Sequence, residues 1–97
     1  QAVLVADAGT ALSLTRVSAE GCFEGGLISA GVALQLRALA GSTAQLPELD
    51  DSCFEAGQPL PTWPQRTDAA MAEGCRRAVA AGIAQVLGWA MLTVWVR

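Results

Sequence analysis

An aspartate that closes an apolar run and is followed by glycine and threonine can serve phosphate chemistry, and Asp7-Ala8-Gly9-Thr10 has that form. A turn at the end of a buried strand presents backbone N–H groups, and the threonine adds a hydroxyl; both suit phosphate oxygens. The Asp7 carboxylate can hold a cation that offsets phosphate charge. The same four residues also read as an ordinary Asp-Gly turn, with Gly9 permitting the tight reversal. Other chemistries are excluded by what the sequence lacks. There is no His, which removes Ser-His and Cys-His pairs and the commonest metal ligand. There is no Lys, which removes Schiff-base chemistry and a P-loop lysine. Cys22, Cys53 and Cys75 are widely spaced and form no C-x-x-C pair. Such spacing argues against zinc, and the odd number argues against a disulfide framework. They are expected to be buried or semi-buried free thiols in a reducing cytosol.

The 97 residues allow one domain or part of one. With 53% apolar and 15% charged residues, the chain is not a disordered tail. A net charge of −3 with six Arg argues against a basic surface for nucleic acid. Gln1 opens directly into an apolar run without a charged segment before it, unlike a signal peptide. A chain that starts in mid-strand reads as a piece of something larger.

The elements that must position Asp7 to Thr10 follow from periodicity. Ala2 to Ala6 reads as a buried strand, and Ala11 to Ser18 alternates as a half-buried one. Ala19-Glu20-Gly21 is a turn and Cys22 to Ile28 a third strand, completing an antiparallel meander. Gly25-Gly26 suggests a bulge or the close approach of another backbone. Gly31 to Ala40 shifts to a helical period through Val32, Leu34, Leu36 and Leu39, with Gly41 as C-cap. Residues 48–64 hold three of the four prolines and read as a long surface loop, with Asp50 and Asp51 as loop charges. A second helix runs from an N-cap at Thr67 to about Leu87, with Asp68 on its dipole. Gly74 and Gly82 would let another helix approach it, and Arg76 and Arg77 would form a solvated face. Met91 to Val96 is a last strand. The order β-β-β-α-loop-α-β predicts a mixed α+β fold. Ala78 to Val96 carries no charge and approaches the ~20 residues that span a bilayer. Trp89 and Trp95 could anchor one interface or be core or dimer contacts, and a helix-to-strand break at Gly88 explains the run without a membrane.

Beyond Asp7-Ala8-Gly9-Thr10-Ala11, the chain carries Phe23-Glu24-Gly25-Gly26-Leu27-Ile28, Gly31, Arg37-Ala38-Leu39 and Thr43-Ala44-Gln45-Leu46-Pro47. Thr67, Ala70 and Gly74 then follow in the pattern T-x-x-A-x-x-x-G. This ordered series, from Val3 to about Leu87, resembles the type III pantothenate kinases, the family of the Bvg accessory factor. The resemblance implies the ribonuclease H-like fold of acetate and sugar kinases, Hsp70 and actin, an α/β fold with ATP between two related domains. Residues 1–97 would then be part of such a kinase, mainly of its second ATPase-like domain. The implied activity is phosphorylation of pantothenate by ATP with Mg2+, the first step of coenzyme A synthesis. The implied protein is a cytoplasmic homodimer; with the charge balance above, no nucleic acid is expected as partner, and a membrane is a less favoured one. By resemblance, Asp7 would bind a monovalent cation (potassium or ammonium), Gly9 and Thr10 would contact ATP phosphate, and Thr67 would contact pantothenate. Gly25 and Gly26 would lie in the strand lining the cleft.

The sequence departs from the family at Ala30, where a proline is usual, and at Arg66, where an asparagine precedes the threonine. The family's D-x-G-N-T phosphate loop and its G-x-D-R motif, whose Asp is the general base, are not among these residues; the latter is expected shortly before Gln1. T-G-G-D is expected after the last strand. No catalytic residue is therefore assigned within the chain, which alone is expected to be inactive, because phosphoryl transfer needs both walls of a cleft. Two other readings remain: a non-catalytic nucleotide-binding relative, and a small membrane-anchored protein using residues 78–96.

Overall fold

Leu12 and Leu14 alternate with polar neighbours, so one face of their strand must be buried, and that face organises the molecule. The computed structural model describes residues 2–49, 62–88 and 93–96. The elements are β1 (Val3–Ala8), β2 (Ala11–Val17), β3 (Phe23–Ala30), α1 (Val32–Ser42), α2 (Thr67–Leu87) and β4 (Thr93–Val96). The sheet has the order β3-β2-β1-β4. The first three strands form the expected meander, and β4 returns parallel to β1 with Val5 paired to Trp95. The element order and the mixed sheet therefore match the sequence reading.

Pairing of Ala6 with Leu14 and of Ala8 with Leu12 puts Leu4, Ala6, Leu12 and Leu14 on one face, where all are buried. The second half of α2 covers them with Val79, Ile83, Val86 and Leu87. The first half of α2 packs Met71 and Cys75 against Leu36 of α1, with Val32, Leu39, Leu46 and Leu49 around them. One long helix thus ties the sheet to the shorter helix through two apolar clusters. On the other sheet face Val3, Val5 and Val17 are only half-buried, and Ile28 there is 82% exposed.

The glycine pair in β3 serves both purposes expected of it. Arg16 pairs with Gly25 while Val17 pairs with Phe23, so Glu24 is the extra residue of a bulge. Gly25 takes φ +129°, a conformation L side chains rarely adopt, and a Cβ on Gly26 would stand 2.5 Å from the Leu14 carbonyl oxygen. The bulge brings the Glu24 carboxylate to Arg16, 2.9 Å away.

Several local expectations are corrected. Gly41 lies inside α1 and does not cap it; the helix ends at Thr43, whose hydroxyl donates to the Leu39 carbonyl and accepts the Leu46 N–H. Thr67 is not an N-cap. The extended residue is Arg66, and Thr67 is already helical, so its hydroxyl does not close the first turn. Asp68 does lie in that turn as expected, accepting the Ala69 N–H at 2.8 Å. Cys22 is exposed, where a buried or semi-buried thiol was expected, because it ends the turn held by the Ser18 hydroxyl. Cys75 is buried, and burial pushes its thiol pKa up. Gly88 caps α2 and β4 follows, so the uncharged run is a helix and a strand and not one span. Among the described residues, no helix is long and apolar enough to cross a membrane. Cys53, Asp50, Asp51, Trp89 and most of the 48–64 loop lie outside the described residues.

Gly74 and Gly82 are exposed, and a Cβ on either would meet nothing within 4 Å, so among the described residues no helix approaches them. Alanine at either position is expected to stabilise the helix by about 0.5–1 kcal/mol, through restored helix propensity. Thermal melts of the single and double variants check this, and a lowered melting temperature would reveal a neighbour at that face.

Candidate functional site

The β1 ladder runs on through Asp7 to Ala8, further than the apolar run suggested, because Asp7 pairs with Ser13 and Ala8 with Leu12. Asp7, Gly9 and Thr10 are all exposed at this hairpin end. Among the described residues, no hydrogen bond is made to the Asp7 carboxylate, although its backbone is fixed by the ladder. A strand thus holds an exposed carboxylate in place at the mouth of a turn.

The turn itself differs from expectation in two ways. Gly9 has no positive φ, so its conformation does not demand glycine. Its N–H is also turned inward, to the Ala11 carbonyl at 3.1 Å, and is not left for a ligand. A Cβ at Gly9 would meet only that carbonyl, at 3.9 Å. The space beside its Cα is otherwise open.

The support for this turn comes from a residue whose role the sequence did not disclose. The Gly31 N–H donates to the Thr10 carbonyl at 2.9 Å, and the Gly31 carbonyl accepts the Gln35 N–H at 3.0 Å. The N-terminus of α1 therefore abuts the turn and lends it the positive end of a helix dipole, which favours anions there. The Gln35 side chain reinforces this junction by donating to the Ala30 carbonyl at 3.0 Å. Exposed Asp7, exposed Thr10, open space at Gly9 and a helix N-terminus behind them fit an anionic phosphate accompanied by a cation. Among the described residues, no group of three or more His, Cys, Asp or Glu gathers as a metal site.

Thr67 is placed elsewhere, at the start of α2. With Pro47, Leu49, Gln65, Arg66 and Asp68 it lines an open hollow of about 540 Å³. None of the hairpin-turn residues lines it. Arg66 donates to Asp68 through Nε at 3.2 Å and Nη2 at 3.3 Å, and this partner holds the Asp68 carboxyl below the usual range. The hollow therefore combines a hydroxyl, an exposed guanidinium and its carboxylate partner with two apolar walls.

Arg76 is exposed and Arg77 half-buried, close to the solvated face expected of them, but both turn onto an acid that the sequence reading passed over. Glu73 is buried, the single buried charged side chain among the described residues. Arg76 donates to it through Nε at 3.0 Å and through Nη2, and Arg77 through Nε at 2.7 Å. An acid with bases three and four residues later on a helix is a readable signal for such pairing. The two guanidinium groups pull the Glu73 pKa from 4.5 down to about 2. A depressed pKa in the folded state adds stability that is full above pH 4.5 and is lost as pH falls toward 2. Wild type is therefore expected to lose stability more steeply than Glu73→Gln between those limits. Melting temperatures at half-unit pH steps measure this; parallel curves would mean that Glu73 has no such pairing.

Comparison with known proteins adds independent information. The sequence profile described as type III pantothenate kinase matches residues 1–88. The type III pantothenate kinase of Synechococcus sp. (strain JA-3-3Ab) is 44% identical over 85 residues, covering 87% of this chain and 34% of that protein. The type III pantothenate kinase of Cupriavidus pinatubonensis is 47% identical over 89 residues, covering 86% of this chain and 32% of its own length. Among solved structures, a Campylobacter jejuni protein described as a Baf family transcriptional activator superposes with a TM-score of 0.62 at 23% identity. That match covers 86% of this chain and 38% of the other, and shows a shared fold. The chain thus spans about a third of the length of the curated relatives it matches. It belongs to the type III pantothenate kinase family.

Proposed function

We propose that the protein carrying this chain transfers the γ-phosphoryl group of ATP to the terminal hydroxyl of pantothenate, and that these residues supply one wall of the nucleotide site. The observation that carries this reading is the family profile over residues 1–88 joined to the exposed Asp7–Thr10 hairpin end braced by α1. Thr10 would hydrogen-bond a phosphate oxygen through its hydroxyl, and Gly9 would leave room for that oxygen. Asp7 would hold a monovalent cation, whose charge offsets that of the phosphates during transfer. Thr67 would meet pantothenate from the separate hollow at the start of α2. The general base would come from the rest of the protein, as an aspartate in a G-x-D-R motif. Positioning and charge neutralisation dominate such reactions, so a site split between two walls acts only when both are present. The exposed Ile28 on the other face of the sheet is consistent with further protein packing there, from the same chain or from a homodimer partner.

The test is pantothenate-dependent release of ADP by the full-length protein, with Mg2+ and with potassium or ammonium present. Turnover that requires pantothenate supports the proposal. Binding of ATP without any turnover would make the protein a non-catalytic relative and overturn it.

A further inference from the structure

The Glu73 cluster reaches beyond its own helix. Arg77 donates through Nε to the buried Glu73 carboxylate and through Nη2 to the carbonyl of Thr62, fifteen residues earlier. One rigid guanidinium thus brackets two elements: α2 on one side and the chain that leads into it on the other. From Thr62, Trp63-Pro64-Gln65-Arg66 run directly to Thr67, and Gln65, Arg66, Thr67 and Asp68 line the hollow. Trp63 is 83% exposed, so packing does little to fix this segment. Its far end is tied by the Arg66–Asp68 pair and its near end by Arg77.

We infer that Glu73 and Arg77 are positioning residues that fix the segment Thr62 to Arg66 and so set the shape of the hollow where Thr67 would receive pantothenate. The inference rests on the proposed pantothenate reading of that hollow. The physical reason is the fork geometry of arginine, which can satisfy a carboxylate and a carbonyl together while a lysine ammonium is a point charge without that fixed fork. Glu73 orients the fork. Arg76 shares the same carboxylate, so the buried charge stays neutralised, and Arg77 is free to act as the bracket. The apolar clusters already hold α2 against the sheet and α1, so the bracket is not needed to keep the helix in place.

The experiment compares Glu73→Gln, Arg77→Gln and Arg77→Lys in the full-length protein, with two readouts. The first is the rate of tryptic cleavage after Arg66, followed by mass spectrometry. The second is the separate KM values for pantothenate and ATP. Both Gln variants are expected to speed cleavage and raise the pantothenate KM by about 5–10-fold, because small misplacements of substrate-positioning groups are costly. The ATP KM should change less than about twofold, since the hairpin turn is a separate site. Arg77→Lys should recover only part of the loss. Unchanged cleavage and KM values overturn the proposal. So does a joint rise of both KM values with a lowered melting temperature, which would mark Glu73 as a general stabiliser. If wild type does not phosphorylate pantothenate, the functional reading fails and this role in pantothenate binding fails with it. The cleavage rate then still decides whether the bracket exists.

Discussion

Gly31→Ala is expected to destabilise the protein by about 2–3 kcal/mol, the range for forcing atoms into a packed site, and to raise the KM for ATP more than tenfold. The reason is space and not backbone conformation. Gly31 has φ −71°, which any residue can adopt. A Cβ there, however, would lie 2.1 Å from the Gly9 carbonyl oxygen and 2.8 Å from that of Thr10. Both obstacles are backbone atoms, so no rotamer change relieves them. Either α1 withdraws from the hairpin turn, breaking the Gly31-to-Thr10 hydrogen bond, or the turn itself shifts and carries Thr10 with it. Each route damages the proposed phosphate site, and a displacement of about 1 Å suffices to reduce activity strongly. In a chain the size of the curated relatives, the melting temperature should fall by roughly 5–10 °C. Gly9→Ala is the control, because its Cβ meets only one carbonyl at 3.9 Å and its φ is ordinary. It should leave stability within about 0.5 kcal/mol of wild type. Thermal melts and ATP titrations of both variants check the argument. Equal stability of the two would show that α1 does not brace the turn.

The contrast between these two glycines also shows what a sequence can disclose. Gly9 was legible as part of a motif, yet the reason assigned to it, a tight turn, is not the one the structure supports. Gly31 was legible as a helix boundary, but its contact with Gly9 and Thr10 joins segments distant in sequence, which local pattern does not encode. The same division holds for the fold. Alternation in β2 and the apolar run of β1 gave the meander, because period two is a local property. The direction of β4 depends on the crossover through α2 and was not readable from its own residues. Two helix ends were misplaced. Thr43 closes α1 through its hydroxyl one turn back, so Gly41 was not needed as a cap. Arg66 took the extended position that Thr67 was expected to hold. Glu73 was overlooked because its burial depends on two arginines folding over it, although the i, i+3 and i, i+4 spacing was present. Of the candidate site, Asp7, Gly9 and Thr10 do come together, since a hairpin end is local. Thr67 lies in a different hollow, because its helix starts some fifty-seven residues later and packs away from the hairpin end.

Asp7→Asn is expected to lower kcat/KM for pantothenate phosphorylation by about 100-fold or more, the scale on which charge-stabilising groups matter in such sites. The substitution keeps the shape and the ladder pairing with Ser13 while removing the charge. Asp7 is exposed, and among the described residues nothing hydrogen-bonds its carboxylate, so the fold gains little from it. Stability should therefore stay within about 0.5 kcal/mol of wild type. The proposed partner of this exposed carboxylate is a cation beside phosphate. Dependence on potassium or ammonium should weaken together with the rate, because asparagine keeps an oxygen ligand but loses the charge that makes the cation bind. Steady-state kinetics across a monovalent salt series, with a melt of each sample, separate the outcomes. A 100-fold loss at unchanged melting temperature supports the cation role. Activity within about threefold of wild type would leave Asp7 an ordinary turn aspartate and shift the phosphate-binding role to Thr10 and the α1 N-terminus alone.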